Sequence, residues 1–131
     1  MKPVIYNKNN KREKIIVTCG IFDPVTIREL KTLKLCKSRG DWLVVGIHSD
    51  WWLQWSEGGF VQNYDTRHEI VSCLDMVDEI FTFDDTDGTV CQLLKLVKIC
   101  YDGANITYIS ETDMHNMPET KIRGITFETL K

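Results

Sequence analysis

The sequence predicts an α/β fold, a five-stranded parallel sheet with helices on both faces. Two observations carry that prediction. Five short runs are almost continuously apolar and rich in β-branched residues, which is how strands buried on both faces read. Between the first four runs, apolar residues recur near helical spacing, so the chain alternates strand and helix. Right-handed crossovers wind such an order into a small Rossmann-like doubly wound sheet.

The elements follow in order. Ile15-Ile16-Val17-Thr18-Cys19 is the first strand, and Gly20 to Pro24 breaks it. Ile27, Leu30, Leu33 and Leu35 then trace a helix that stops at Arg39-Gly40. Trp42-Leu43-Val44-Val45-Gly46-Ile47 is the second strand. The stretch from His48 to Asn63 is polar and glycine-containing, and reads as a loop. Asp65 can cap a helix whose apolar face holds Ile70, Val71, Leu74 and Met76 or Val77. Glu79 to Phe83 is the third strand, and Asp84 to Gly88 a turn and helix start. Val90, Leu93, Leu94, Val97 and Cys100 form the next helix face. Ile106 to Ile109 is the fourth strand, and Gly124 to Leu130 the fifth. In a sheet of this kind ligands sit beyond the carboxyl ends of the strands. The loops that matter are therefore 20–26, 48–63, 84–88 and 110–120.

Composition narrows the function classes. The chain has 131 residues, 43% of them apolar and 27% charged, which suits one ordinary globular domain. No apolar run approaches the roughly 20 residues that a spanning helix needs, and no secretory h-region is legible near the start. The net charge of −3 disfavours wholesale nucleic-acid binding. It is unevenly spread. Residues 1 to 14 hold Lys2, Lys8, Lys11, Arg12 and Lys14 against Glu13 alone, a net +4, which leaves −7 for residues 15 to 131. A basic arm (1–14) thus precedes an acidic domain (15–131). The arm is either a solvated tail or a segment that docks on an acidic partner. The five cysteines are odd in number, form no CxxC pair and stand in apolar runs. With His48, His68 and His115 at no metal-ligand spacing, no metal site is expected, and the thiols point to a reducing, intracellular compartment, either the cytoplasm or a complex assembled inside the cell.

Gly20-Ile21-Phe22-Asp23-Pro24 joins the first strand to the first helix, a position that suits a phosphate cradle. Its wider context is more specific. Cys19-Gly20-Ile21-Phe22-Asp23, Leu43 to Asp50, Tyr64-Asp65-Thr66-Arg67 and Met76-Val77-Asp78-Glu79-Ile80 fall in register with four conserved blocks of one family. The chain resembles the glycerol-3-phosphate cytidylyltransferase group of the HxGH nucleotidyltransferase superfamily over about residues 15 to 130. The resemblance implies a nucleotide site made by Gly20, Phe22, Asp23, Thr26, Arg28, Asp50 and Arg67, with CTP or ATP and magnesium if a nucleotide is bound. It also implies a homodimer to which the helix around Asp75 and the strand after it contribute.

The catalytic pattern departs from that family. Its two histidines fall on Thr26 and Glu29, in Thr26-Ile27-Arg28-Glu29. By resemblance those imidazoles neutralise triphosphate oxygens; Thr26 still donates a hydrogen bond, whereas Glu29 sets an anion against an anion. Arg28 is a substitute cation displaced about 100° around the helix. Ser56 and Gly58 stand where the family has lysines, Asp75 where it has a basic residue, and the Arg-Thr-Glu-Gly-Ile-Ser-Thr-Thr signature that should follow the last strand is not found before Lys131. Arg67 alone survives among the phosphate-directed cations, and it reads equally as a surface ion pair with Asp65.

Single residues divide between structure and function. Gly20 serves the tight turn first and ligand approach second. Asp23 is a candidate cap of the first helix. His48 and His68 read as structural or solvent-facing, and His115 stands in a polar loop. Trp51, Trp52 and Trp55 lie within five positions of one loop, where one replaces a core-packing aromatic and two suit a protein partner or self-association surface, with base stacking in a retained nucleotide site and plain core packing as the alternatives. The expected function is a binding or assembly protein on a cytidylyltransferase-like fold, with no catalytic residues and no required cofactor. The alternatives are an active nucleotidyltransferase acting on a phospho-alcohol, and a non-catalytic nucleotide-binding regulator.

Overall fold

The computed structural model describes residues 13–130; residues 1–12, which make up most of the basic arm, and Lys131 lie outside the described residues. The elements are β1 (Lys14–Gly20), α1 (Ile27–Ser38), β2 (Trp42–Ile47), α2 (Asp50–Glu57), α3 (Tyr64–Ser72), β3 (Glu79–Phe81), α4 (Cys91–Cys100), β4 (Asn105–Ser110), a 3-10 turn (Pro118–Lys121) and β5 (Ile125–Thr129). The strands form one five-stranded sheet in the order β3-β2-β1-β4-β5, and every pairing is parallel. Val17 of β1 is in register with Val44 of β2 and with Tyr108 of β4, so β1, whose Ile15, Ile16 and Val17 are fully buried, lies at the centre. The expected α/β class, the five parallel strands and the covering of both faces are all present.

The alternation of side chains along a strand explains the two cores. Ile15 and Val17 point to one face, where they meet Val44, Ile106 and Tyr108 and are covered by Leu93, Leu94 and Val97 of α4. Ile16 points to the other, with Leu43 and Val45, under Leu33 and Cys36 of α1 and Val71 of α3. The chain winds from β1 outward to β3, then crosses back to β4 on the opposite side of β1. That reversal puts α4 on its own face, as right-handed crossovers require.

Four local expectations change. The stretch 48–63 is not all loop, for α2 occupies Asp50–Glu57. Ser49 caps it by accepting from the Trp52 amide, and Gly58 closes it at φ 79°. The cap of α3 is Asn63, which accepts from the Thr66 amide, rather than Asp65. That helix ends at Ser72, so Leu74, Met76 and Val77 belong to the turn before β3. In α1 the buried face is Leu33 and Cys36, while Ile27 and Leu35 are exposed. The final strand joins the sheet of its own chain, with Tyr108 of β4 opposite Phe127. Cys19, Cys36, Cys73, Cys91 and Cys100 are free thiols, and burial pushes the Cys36 thiol up to about 11.

Gly46 of β2 leaves room for Leu93 of α4 to pack against the sheet. A β-carbon there would lie 2.5 Å from Leu93 Cδ2 and 3.0 Å from Phe83 Cε1. Gly46→Ala should therefore destabilise the fold by about 1–3 kcal/mol through overpacking. A urea midpoint lowered accordingly, with an unchanged m-value, is the expected result.

Candidate functional site

The rim beyond the carboxyl ends of the strands is organised by one buried cation. Arg67 rises from the first turn of α3 and has no exposed surface. Its Nε donates to the Gln62 carbonyl at 2.9 Å, and Nη1 donates to the carbonyls of Ile21 at 2.9 Å and His48 at 2.8 Å. Nη2 donates to Asp50 Oδ1 at 2.8 Å. The guanidinium thus ties together the loop after β1, the end of β2, the start of α2 and the entry to α3. Its ion pair is with Asp50 rather than Asp65, and it is buried rather than on the surface; four of its five N–H donors are spent inside the protein.

Asp23 reinforces the same junction. Its carboxylate accepts from the amides of Val61 at 2.8 Å and Gln62 at 2.6 Å, and so ties the first loop to the segment before α3. It does not cap α1, whose cap is Thr26. Phe22 has the left-handed φ of 52°, a conformation a bulky residue seldom adopts. In that position its ring lies over Gly20, where a β-carbon would sit 2.9 Å from the ring edge. Gly20 is needed for this close approach of Phe22, and Phe22 is a buried core residue of the α1 side.

The two positions that align with the family's histidines bond to each other. The Glu29 carboxylate accepts from the Thr26 amide at 2.7 Å and from the Thr26 hydroxyl at 2.6 Å. This is the reciprocal capping arrangement of a Thr-x-x-Glu sequence at a helix start. Arg28 points elsewhere and pairs with Glu111 at 2.8 Å in an exposed bridge.

A second polar cluster supports α2. Asp85 is buried and accepts from Ser49 twice, amide at 2.9 Å and hydroxyl at 2.7 Å. His48 Nδ1 lies 2.9 Å from the other contact of this carboxylate, Oδ2, and the imidazole stacks on Trp52 at 3.8 Å. Burial lowers the imidazole's affinity for a proton, against a smaller opposing effect of Asp85. His48 is therefore structural, whereas His68 packs near Tyr64 and His115 is exposed. Trp52 is the half-buried tryptophan of the three, and its partner is His48. Trp51 and Trp55 are 47% and 64% exposed and stack on each other, with centroids 5.9 Å apart and planes within 10°. Asp75, the other candidate interface residue, is exposed in the turn before β3.

The electrostatic character of the rim is one-sided. Loops 20–26, 48–63, 84–88 and 110–120 contain nine Asp and Glu residues and no Lys or Arg. The cations that reach the rim come from helices, Arg67 locked inside and Arg28 paired with Glu111. Among the described residues, no three His, Cys, Asp or Glu side chains converge to hold a metal ion. Asp23, Asp50 and Asp85 already carry amide, guanidinium or imidazole partners. The carboxylates present therefore do not form a ready magnesium site. The Asp85–Ser49–His48 cluster was not legible beforehand, although Ser49 followed nine residues later by Gly58 is a helix start and stop signal.

Comparison with known proteins places this geometry. No family model matches the chain. It is 32% identical over 92 residues to the bifunctional protein HldE of Aliarcobacter butzleri, and 28% identical over 100 residues to HldE of Sulfurimonas denitrificans. These stretches are 69% and 75% of this chain but only 19% and 20% of those proteins, so the chain matches about a fifth of the relatives' length. In fold it is similar to the lipopolysaccharide core biosynthesis protein of Thermoplasma volcanium, with a TM-score of 0.72 at 20% identity over 91% of this chain and 97% of the other. It is also similar to nicotinic acid mononucleotide adenylyltransferase of Plasmodium falciparum, with a TM-score of 0.50 at 16% identity over 76% of this chain and 52% of the other. The two solved structures show that the fold is shared, and none of these proteins is named as a glycerol-3-phosphate cytidylyltransferase. No helix among the described residues is long and apolar enough to cross a membrane.

Two predictions follow from the clamp and the cluster. Arg67→Met leaves three carbonyls and the Asp50 carboxylate without their donor, and should destabilise the protein by about 3 kcal/mol or more in equilibrium unfolding. His48 gives a pH dependence of known sign. Its folded-state pKa lies below the usual 6.5, so the unfolded chain takes up a proton first on acidification. Its stabilising contribution is complete above pH 6.5 and falls as the pH drops toward the folded value. Unfolding free energies between pH 7.5 and 5 should show a slope that His48→Asn reduces.

Proposed function

We propose that this nucleotidyltransferase-type domain works as a binding or assembly module on a cytidylyltransferase-like fold, without nucleotidyl transfer of its own. The observation that carries this is the Thr26–Glu29 pair. The two side chains that stand where the family has imidazoles are hydrogen-bonded to each other, and the one with charge is an anion. Preorganised positive charge is often the largest single contribution to such catalysis, roughly 3–4 kcal/mol for one donor. A carboxylate at that place opposes a triphosphate instead of neutralising it. The acidic rim and the internal use of Arg67 act in the same direction, since each would raise the free energy of a polyphosphate beyond the strands.

The function left to the rim is contact. Trp51 and Trp55 put a stacked aromatic surface on the loop side of the sheet, of the kind enriched at the centres of protein interfaces. A protein partner or a second copy of the chain is the proposed ligand, and neither nucleotide nor magnesium is required.

The test is direct. The purified protein is incubated with magnesium, labelled CTP or ATP and a panel of phospho-alcohols, and pyrophosphate is followed. No release above a protein-free blank is expected, and no thermal shift with either nucleotide. Turnover on the order of 1 per second or faster, the ordinary enzyme range, would show an active transferase and overturn the proposal. A nucleotide-dependent shift without turnover would replace it with a nucleotide-binding regulator.

A further inference from the structure

We propose that the basic arm of one copy of this chain binds across the Trp51–Trp55 face of another copy. The inference deepens the binding-module reading and rests on it, by naming the partner as the chain itself and the ligand as its residues 1–12.

The receiving surface is both aromatic and acidic. Trp51 and Trp55 lie parallel and exposed on α2, with Phe60 and the 80%-exposed Val61 following in the same segment. The Trp55 ring also reaches the loop 84–88, where its edge stands 3.4 Å from the β-carbon position of Gly88. Around this face are Glu57, Asp84 and Asp87, all exposed. Their hydrogen bonds are to hydroxyls and amides, from Ser56, Thr86 and Thr89. Among the described residues none of the three is paired with a Lys or Arg. Hydrogen bonds from Thr86 hold the Asp84 carboxyl below the usual carboxylate range, so it keeps its charge through mild acid. Parallel indole faces rimmed by carboxylates suit Lys and Arg, which bind over tryptophan rings and pair with the acids beside them.

The sequence supplies one segment of that chemistry. Residues 1–12 contain Lys2, Lys8, Lys11 and Arg12 and no acidic residue, with Val4, Ile5 and Tyr6 between the cations to cover apolar surface. The loops of the rim have the opposite composition, with nine acids and no Lys or Arg.

Chain geometry decides between the same copy and another. The arm joins the sheet at Lys14, the first residue of the central strand, and α2 lies beyond the other end of that sheet. The six residue-to-residue steps of β1 at about 3.3 Å each separate its two ends by roughly 20 Å, before α2 adds its own distance. A chain extends by at most about 3.6 Å per residue. The Arg12 and Lys11 backbones are thus tethered within roughly 11 Å of Lys14, and that of Lys8 within roughly 22 Å. A route to the rim must also pass around helices on either face. Within one copy Lys11 and Arg12 fall short of the face, whereas an arm from a neighbouring copy brings all four cations to it.

Sedimentation velocity on the full chain tests the inference, at low and at high salt. The wild type should associate at low salt and dissociate as salt screens the contact. Two full-length variants, Trp51→Ser/Trp55→Ser and Lys8→Glu/Lys11→Glu/Arg12→Glu, should each raise the dissociation constant by roughly tenfold or more. Mixing them should restore a complex, because one retains the arm and the other the face. A monomeric wild type, a variant that associates as the wild type does, or a mixture that stays monomeric would overturn the proposal. The charge-reversal variant changes no described contact, so the test survives if the tryptophan variant fails to fold. Pyrophosphate release by an associating wild type would count against the non-catalytic function and leave this contact standing.

Discussion

The rim of this protein depends on a single buried cation. Arg67 holds three carbonyls from three separate segments, and Asp50 closes the arrangement. A guanidinium is suited to this, since it stays charged and presents five donors in a rigid plane. Burying it without partners would be prohibitive; burying it with four acceptors makes it a fixed point from which the neighbouring loops take their positions. Asp23 then binds the Val61 and Gln62 amides, and the Gln62 carbonyl returns to Arg67. The first loop and the segment before α3 are therefore held twice. With the loops so fixed, α2 is presented at a defined angle, and the His48–Trp52 stack fills the space beneath it.

Much of the fold was legible in the sequence because the signals were local. Ile15-Ile16-Val17 and Leu43-Val44-Val45 can hardly be anything but strands buried on both faces, and Leu93, Leu94 and Val97 set the face of α4. What was missed required competition between good alternatives. Asn63 and Asp65 are both strong helix caps, and only packing decides that the helix begins two residues earlier. α2 was hidden because its residues form a polar, tryptophan-rich run with one buried leucine, Leu53, in eight positions. In the site, Thr26-x-x-Glu29 is a readable capping signal, yet alignment with a histidine motif drew attention to what those residues are not. The inward turn of Arg67 was not readable at all. Its partners are backbone carbonyls, which have no identity in a sequence.

The site also shows how one set of positions can serve two physical ends. Around the first turn of a helix, exposed amides attract negative charge. A nucleotidyltransferase can use such a region for substrate phosphate. Here a carboxylate of the chain itself takes part of that role at the start of α1, and others do so at Val61, Gln62 and Ser49. Each internal anion lowers the energy of the folded chain while raising that of an external polyphosphate at the same place. The aromatic pair on α2 adds two exposed indole faces to this rim, a surface that accepts cations rather than anions.

The bond between Thr26 and Glu29 also couples what each of the two positions can hold. Replacing Glu29 by histidine removes the acceptor that satisfies the Thr26 amide, and replacing Thr26 first removes a hydroxyl that Glu29 holds. Either single change weakens the start of α1 by roughly 1 kcal/mol before any imidazole pair exists to bind a substrate. A histidine at either position therefore has to come with a new cap for α1, so the first residues of one helix constrain each other's identity.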